Sequence, residues 1–182
     1  MTLIESFDFS LSVLTVISQV FIIFSIVYIL FFQKEYGFIG KFLSKYGLLF
    51  AFITVLVATM GSLFYSEIAG YAPCELCWYQ RIFMYPQVFL LGFALFKKDK
   101  GIIKYAILLS LIGVCIAIYH HLMQIGAVNS LSCPVVGYSV SCAKLFVMKF
   151  GYITLPIMAS SAFLQTIFFL FFNNQNNNNN NI

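Results

Sequence analysis

Apolar runs without an ionisable charge dominate this sequence. Phe9 to Phe32 extends for 24 residues without an Asp, Glu, Lys or Arg, and Gly47 to Ser66 and Gly151 to Phe172 do the same. At a rise of 1.5 Å per residue, about 20 such residues cross a hydrocarbon core. Runs at about Ile82 to Phe96 and, with Lys104 near its start, Ile102 to Met123 bring the number of apolar runs to five. Only 9% of the residues are charged, whereas a soluble surface calls for roughly a quarter. The expected fold class is therefore all-α, a polytopic membrane helical bundle. The bilayer is its solvent.

The first run has no basic n-region and no clear small-residue cleavage site, so it reads as a retained helix rather than a signal peptide. The formal charge of +4 is spread over linkers, not gathered on one face, which argues against nucleic acid as a partner. Lys34, Lys41, Lys45, Lys97, Lys98, Lys100 and Lys104 all fall in the first and third linkers. Positive-inside bias puts those linkers in the cytoplasm. Alternation then places the N-terminus and the second and fourth linkers outside. The Asn-rich end, 173–182, is low-complexity and is expected to be disordered.

The two outer linkers hold four of the five cysteines. Cys74 and Cys77 form a Cys-x-x-Cys after Pro73 and ahead of an apolar run. Pro73 suits the first turn of a helix, which would place both sulfurs on one face near unpaired amides. That position lowers a thiol pKa and favours disulfide exchange over simple cross-linking. Arg81 follows one turn later, able to steady a thiolate or the oxygen of a quinone as electrons arrive, or simply to snorkel to lipid phosphate. Cys133 and Cys142 share a polar stretch long enough to reach the first pair, as a relay or as a brace for their own loop. His120 and His121, at the outer end of the fourth run, can bond a quinone carbonyl, carry protons or face water. Cys115 lies within a run and reads as a small hydrophobe. A zinc site built from the four cysteines is disfavoured by the wide Cys133–Cys142 spacing and by an oxidising face, so no metal is expected.

The stretch Cys74-Glu75-Leu76-Cys77-Trp78-Tyr79-Gln80-Arg81, followed by Met84-Tyr85-Pro86, resembles the disulfide bond formation protein B family, in particular its BdbC-type branch. The likeness extends through Tyr119-His120-His121 to Gly151-Tyr152-Ile153-Thr154-Leu155-Pro156, or about residues 47–172. It implies a four-helix thiol oxidase domain over 47–172, with 1–46 an additional N-terminal transmembrane helix and its linker. It also implies a quinone cofactor, ubiquinone or menaquinone, and a soluble DsbA-like thioredoxin-fold oxidant as partner. The implied place is the bacterial inner membrane, both cysteine loops lying on the periplasmic, extracytoplasmic side. By position, Cys74 and Cys77 are the quinone-proximal pair and Cys133 and Cys142 the partner-facing pair. Arg81 is the quinone-associated arginine, and His120 or His121 is the histidine near the quinone. The implied activity is quinone-dependent oxidation of protein thiols that supports disulfide formation in exported proteins. A quinone reductase of the vitamin K epoxide reductase type is the rival enzyme, although there the Cys-x-x-Cys follows the loop pair. The non-enzymatic rival is a structural or transport membrane protein with two stabilising disulfides.

Overall fold

The structure, a computed structural model, describes residues 3–31, 38–97, 99, 101–128 and 141–179. Five long helices account for most of them: α1 (Leu3–Phe31), α2 (Phe38–Leu63), α3 (Glu75–Lys97), α4 (Ile102–Gln124) and α5 (Leu155–Asn179). The all-α expectation holds. Helix α5 packs against α2 and α4, α3 bridges α2 and α4, and α1 lies against α5 on the outside of this group. The result is a four-helix core with one additional N-terminal helix.

Among the described residues, four stretches are long and apolar enough to cross a membrane: Leu3–Tyr28, Phe42–Ile68, Ile102–Gln124 and Leu155–Asn173. The run expected at Ile82–Phe96 forms most of α3, which is not among these four. Glu75, Gln80, Arg81 and Gln87 dilute its apolar character. Gln87 is fully buried: its amide donates to the Phe83 carbonyl, and its Oε1 accepts from the Ser110 hydroxyl of α4 at 3.0 Å. Phe89, Phe93 and Phe96 point outward on the same helix. A helix can thus show an apolar face to lipid while its inner face carries polar links to its neighbours.

The core centres on Val55, Leu91, Ile103, Phe163 and Leu170, contributed by all four core helices. Two glycines permit its closest approaches. A Cβ on Gly113 would run into the Phe163 ring, and one on Gly47 would meet the Phe169 carbonyl oxygen at 2.5 Å. At the far end of the bundle, the Asn173 amide donates to the Ser44 carbonyl at 2.7 Å and ties α5 to the start of α2.

Two local expectations change. The tail was expected to lose structure from 173, yet α5 continues to Asn179. Each residue added to an existing helix gains a hydrogen bond without a new nucleation cost. Pro73 was expected inside the first turn of α3, but that helix begins at Glu75 and the Trp78 amide donates to the Cys74 carbonyl at 3.1 Å. Cys74 is therefore the N-cap, and Pro73 precedes it. Upstream, α2 ends in a π-helical turn, Phe64–Ile68. Gly70, at a φ of 69°, then turns the chain so that the Tyr71 amide reaches the Tyr65 carbonyl.

Because Phe163 is fully enclosed, its ring has nowhere to move. Gly113→Val is expected to destabilise the protein by about 1–3 kcal/mol through overpacking. Thermal unfolding in detergent should show this loss, with Ile112→Val on the half-exposed face of α4 causing little change.

Candidate functional site

The N-terminus of α3, the C-terminal turn of α4 and the segment at 141–147 meet at one end of the bundle. Cys74, Leu76, Met123 and Cys142 form a small buried cluster there, with Cys77 and Tyr119 packed against it. The start of α1 reaches the same end, where Phe7 stacks on Phe64 at 3.6 Å between ring centroids and Phe9 meets Phe150. The Cys74/Cys77 segment, the described part of the Cys142 segment and the N-terminal end of α1 thus share one end of the bundle.

Cys74 and Cys77 are free, with their sulfurs 3.1 Å apart. Cys142 is disulfide-bonded; Cys133 lies outside the described residues. The hydrogen bond shared by the two sulfurs holds the Cys74 pKa well below the ordinary thiol range. Burial opposes this, while His120 and the Cys77 backbone amide reinforce it. This is the N-cap arrangement with a sulfur as acceptor, since Cys77 occupies the third helical position. The same hydrogen bond, together with burial, pushes the Cys77 thiol upward. The pair is thereby split, with ionisation favoured at Cys74 and disfavoured at Cys77.

His120 is 2% exposed and sits between the cysteine segments. Its Nδ1 lies 3.0 Å from the Gln80 amide nitrogen, and its Nε2 lies 3.7 Å from the Cys74 sulfur and 3.2 Å from the Cys142 carbonyl. Gln80 can only donate through that nitrogen, so Nδ1 accepts and the proton resides on Nε2, facing Cys74 and Cys142. His121 points elsewhere, to the Thr154 hydroxyl at 3.3 Å. The register of the two histidines is settled by packing. Gln80 was not singled out as a site residue in the sequence; its place one turn after Cys77, beside Arg81, was the available signal.

On the other side of the pair lies an apolar cavity of about 670 Å³. Cys77 lines it and Cys74 does not; Gln80, Arg81, Tyr85 and Ser62 supply polar groups at the same end. Arg81 donates from Nε to the Ser62 hydroxyl at 3.1 Å and from Nη2 to the Ser62 carbonyl at 3.2 Å, with Trp78 5.2 Å from its guanidinium. Tyr85 also donates to the Ser62 hydroxyl. Neither His120 nor His121 lines this cavity. Aromatic rings close its outer end: Tyr71 stacks on Tyr65 at 5.8 Å and on Phe146 at 5.0 Å.

Cys74, Cys77 and His120 also present donor atoms within 4.8 Å of one another, the arrangement of a partial metal site. A fourth thiolate from Cys142 is tied up in a disulfide. The 3.1 Å sulfur separation is that of a thiol–thiolate hydrogen bond, closer than about 3.7 Å for two sulfurs sharing a tetrahedral zinc. Cys115 is free and exposed on α4, apart from the cluster.

The family model for disulfide bond formation protein DsbB matches residues 44–177. The SPbeta prophage-derived disulfide bond formation protein B of Bacillus subtilis (strain 168) is 45% identical over 123 residues, covering 68% of this chain and 81% of that protein. A probable disulfide formation protein C of Bacillus cereus is 43% identical over 120 residues, covering 66% and 86%. A probable disulfide formation protein of Coxiella burnetii is 38% identical over 133 residues, covering 72% and 89%. No solved structure matches. With its vicinal thiols, a second cysteine held in a disulfide beside them and a bundle of apolar helices, the chain belongs to the disulfide bond formation protein B family of multi-pass membrane thiol–disulfide oxidoreductases.

Proposed function

We propose that this protein reoxidises a soluble thioredoxin-fold thiol oxidant outside the cytoplasm and delivers the electrons to a membrane quinone. It would thereby support disulfide formation in exported proteins, from the cytoplasmic (inner) membrane with both cysteine segments on the extracytoplasmic face. One observation carries this reading. The Cys74/Cys77 pair stands between the Cys142 segment on one side and an apolar cavity on the other, with one sulfur turned to each.

The proposed partner-facing pair is Cys133 with Cys142. A thiolate of the reduced partner attacks that disulfide, and the partner's second thiol resolves the mixed disulfide, leaving the pair as a dithiol. A thiolate of this pair then attacks the Cys74–Cys77 disulfide; a new S–S bond forms as the old one breaks, and Cys74 departs as a thiolate. A sulfur with a depressed pKa leaves faster, and the Cys77 amide and His120 Nε2–H are placed to receive the charge. Resolution by the other thiol regenerates the Cys133–Cys142 disulfide. The described arrangement, with a free first pair and Cys142 bonded, matches the end of that transfer.

The cavity suits a quinone in size and lining, being largely apolar with a few polar groups at one end. A bound quinone supplies an acceptor for two electrons and two protons. Cys77 is the sulfur at the cavity wall. Arg81 is anchored through two of its five donors on Ser62, which aims a fixed positive charge along that wall. His120 is assigned to the sulfur side of the site, as the group that steadies Cys74, rather than to the cavity. Gln80 positions it.

Three measurements test this. Anaerobic mixing of the reduced protein with a quinone should consume quinone in step with loss of free thiols, and Cys77→Ala should abolish the reaction. Thiols that stay reduced would sink the quinone reading. In alkylation followed by mass spectrometry, Cys74 should keep reacting at a pH well below the ordinary thiol midpoint of about 8.5, because the thiolate survives until the pH falls through its lowered pKa. Cys77 should lag at every such pH. Gln80→Leu frees the His120 tautomer; it should move the Cys74 alkylation midpoint to higher pH and slow exchange between the pairs by roughly 3–10-fold, the worth of one hydrogen bond. An unmoved midpoint would reduce Gln80 to a packing residue.

A further inference from the structure

Helix α1 lies outside the 44–177 stretch that the family model matches, yet it forms one wall of the cavity through Leu11, Thr15, Ser18 and Phe21. Its placement is specific. Gln19, in the middle of the helix, donates from Nε2 to the Ser161 hydroxyl at 2.8 Å and accepts the Tyr152 hydroxyl at Oε1 at 2.9 Å. A glutamine engaged at both ends within an apolar helix fixes rotation as well as position, because its bonds are directional. Ser12, Thr15 and Ser18 are buried on the inward side, and Leu11 comes within 3.3 Å of where a Cβ on Gly61 would lie. Phe21 meets Phe168 and Phe169 of α5 at ring-centroid distances of 6.2 Å.

The cavity is far longer than a redox ring requires. Along α2 its lining runs from Phe42 and Leu43 to Ser62, which is roughly 28 Å at 1.5 Å per residue. Ser62, Gln80, Arg81 and Tyr85 stand at the Cys77 end, and Thr15, Ser18, Thr54, Ser161 and Gln165 are scattered along the rest of the lining. Elsewhere the walls are mainly aliphatic and aromatic, including Leu43, Phe50, Ile53, Val57 and Phe169. A ring seated against Cys77 leaves the remaining length to a linear hydrocarbon. Without α1, the faces of α2 and α5 that line this length would open to lipid.

We infer that α1 is the outer wall of a channel for the polyisoprenoid tail of the quinone, through which this chain favours long-tailed over short-tailed quinones. This rests on the quinone reading above and assigns a substrate-selecting role to the helix outside the matched stretch. Each isoprene unit enclosed between α1, α2 and α5 adds apolar contact that a short-tailed ring cannot make.

The test uses the full-length protein in lipid nanodiscs with dithiothreitol as thiol donor. KM is measured for a quinone with a long isoprenoid tail and for the same ring with a short alkyl tail. Thr15→Phe fills the channel from a buried position. Ile17→Trp does so from the more exposed flank of α1, where a large side chain leaves the helix packing intact. In either variant the ratio of KM for the long-tailed quinone to KM for the short-tailed one should rise roughly tenfold or more, the effect of displacing about two methylene groups from apolar contact. An unchanged ratio in the folded variants overturns the inference and leaves the channel to bilayer acyl chains. Wild-type protein that reduces neither quinone overturns the quinone reading itself, and with it this one.

Discussion

A sulfur that favours ionisation yet is held away from water sets the terms for the outer half of this bundle. Cys74 is only 3% exposed, and a buried anion is costly unless donors replace its hydration. Here the donors come from two helices: the Cys77 thiol and amide at the start of α3, and His120 near the end of α4. The α3–α4 contact must therefore hold these groups within fractions of an ångström. Leu91, Ile103 and Ala106, members of one buried cluster, supply apolar packing, and the buried Gln87–Ser110 bond supplies registration. Packing alone tolerates sliding, whereas a buried hydrogen bond whose loss costs about 1–3 kcal/mol does not.

Asymmetry within the pair follows from the helix terminus. At the N-cap, Cys74 receives the amide of the third helical residue and the positive end of the helix dipole. Cys77, inside the first turn, also meets a backbone amide, that of Cys74, but its side-chain hydrogen bond to Cys74 and burial outweigh it, and its sulfur lines the cavity. Two thiols three residues apart thereby become chemically distinct: one is poised to leave or attack as a thiolate, the other retains its proton on an apolar wall. The vicinal spacing alone would not separate them. The helix boundary does so, and it falls where Pro73 ends the extended approach.

This also explains what was legible in the sequence. The runs at 9–32, 47–66, 102–123 and 151–172 were plain because transfer into hydrocarbon depends on composition, which needs no knowledge of neighbours. The Cys-x-x-Cys and the shared side of the two cysteine segments were equally plain, one from spacing and the other from lysine placement. What failed to show were features decided by facing surfaces. Which of His120 and His121, about 100° apart on the helix, meets the cysteines depends on how α4 rotates against α3, and only Gln80 and Thr154 as partners resolve it. The share of α1 in the cavity was invisible, because its inward face of Ser12, Thr15 and Ser18 looks like ordinary small-residue helix packing. The continuation of α5 into the asparagines was missed because composition describes an isolated segment, not one growing from a packed helix.

Polar residues within apolar helices recur at three junctions of the bundle: Gln19 between α1 and α5 and Ser62 with Arg81 and Tyr85 between α2 and α3, both beside the cavity, and Gln87 between α3 and α4 behind it. In lipid the hydrophobic effect does not drive helices together, so contact area alone selects no rotation. Were these residues all leucine, the helices would still insert but could turn about their axes at little cost, and an elongated void between them would collapse. Satisfied hydrogen bonds at three separate interfaces remove that freedom. The cavity beside Cys77 then keeps its shape because the helices around it are pinned at their polar points, and a site for a long apolar ligand comes from polar chemistry.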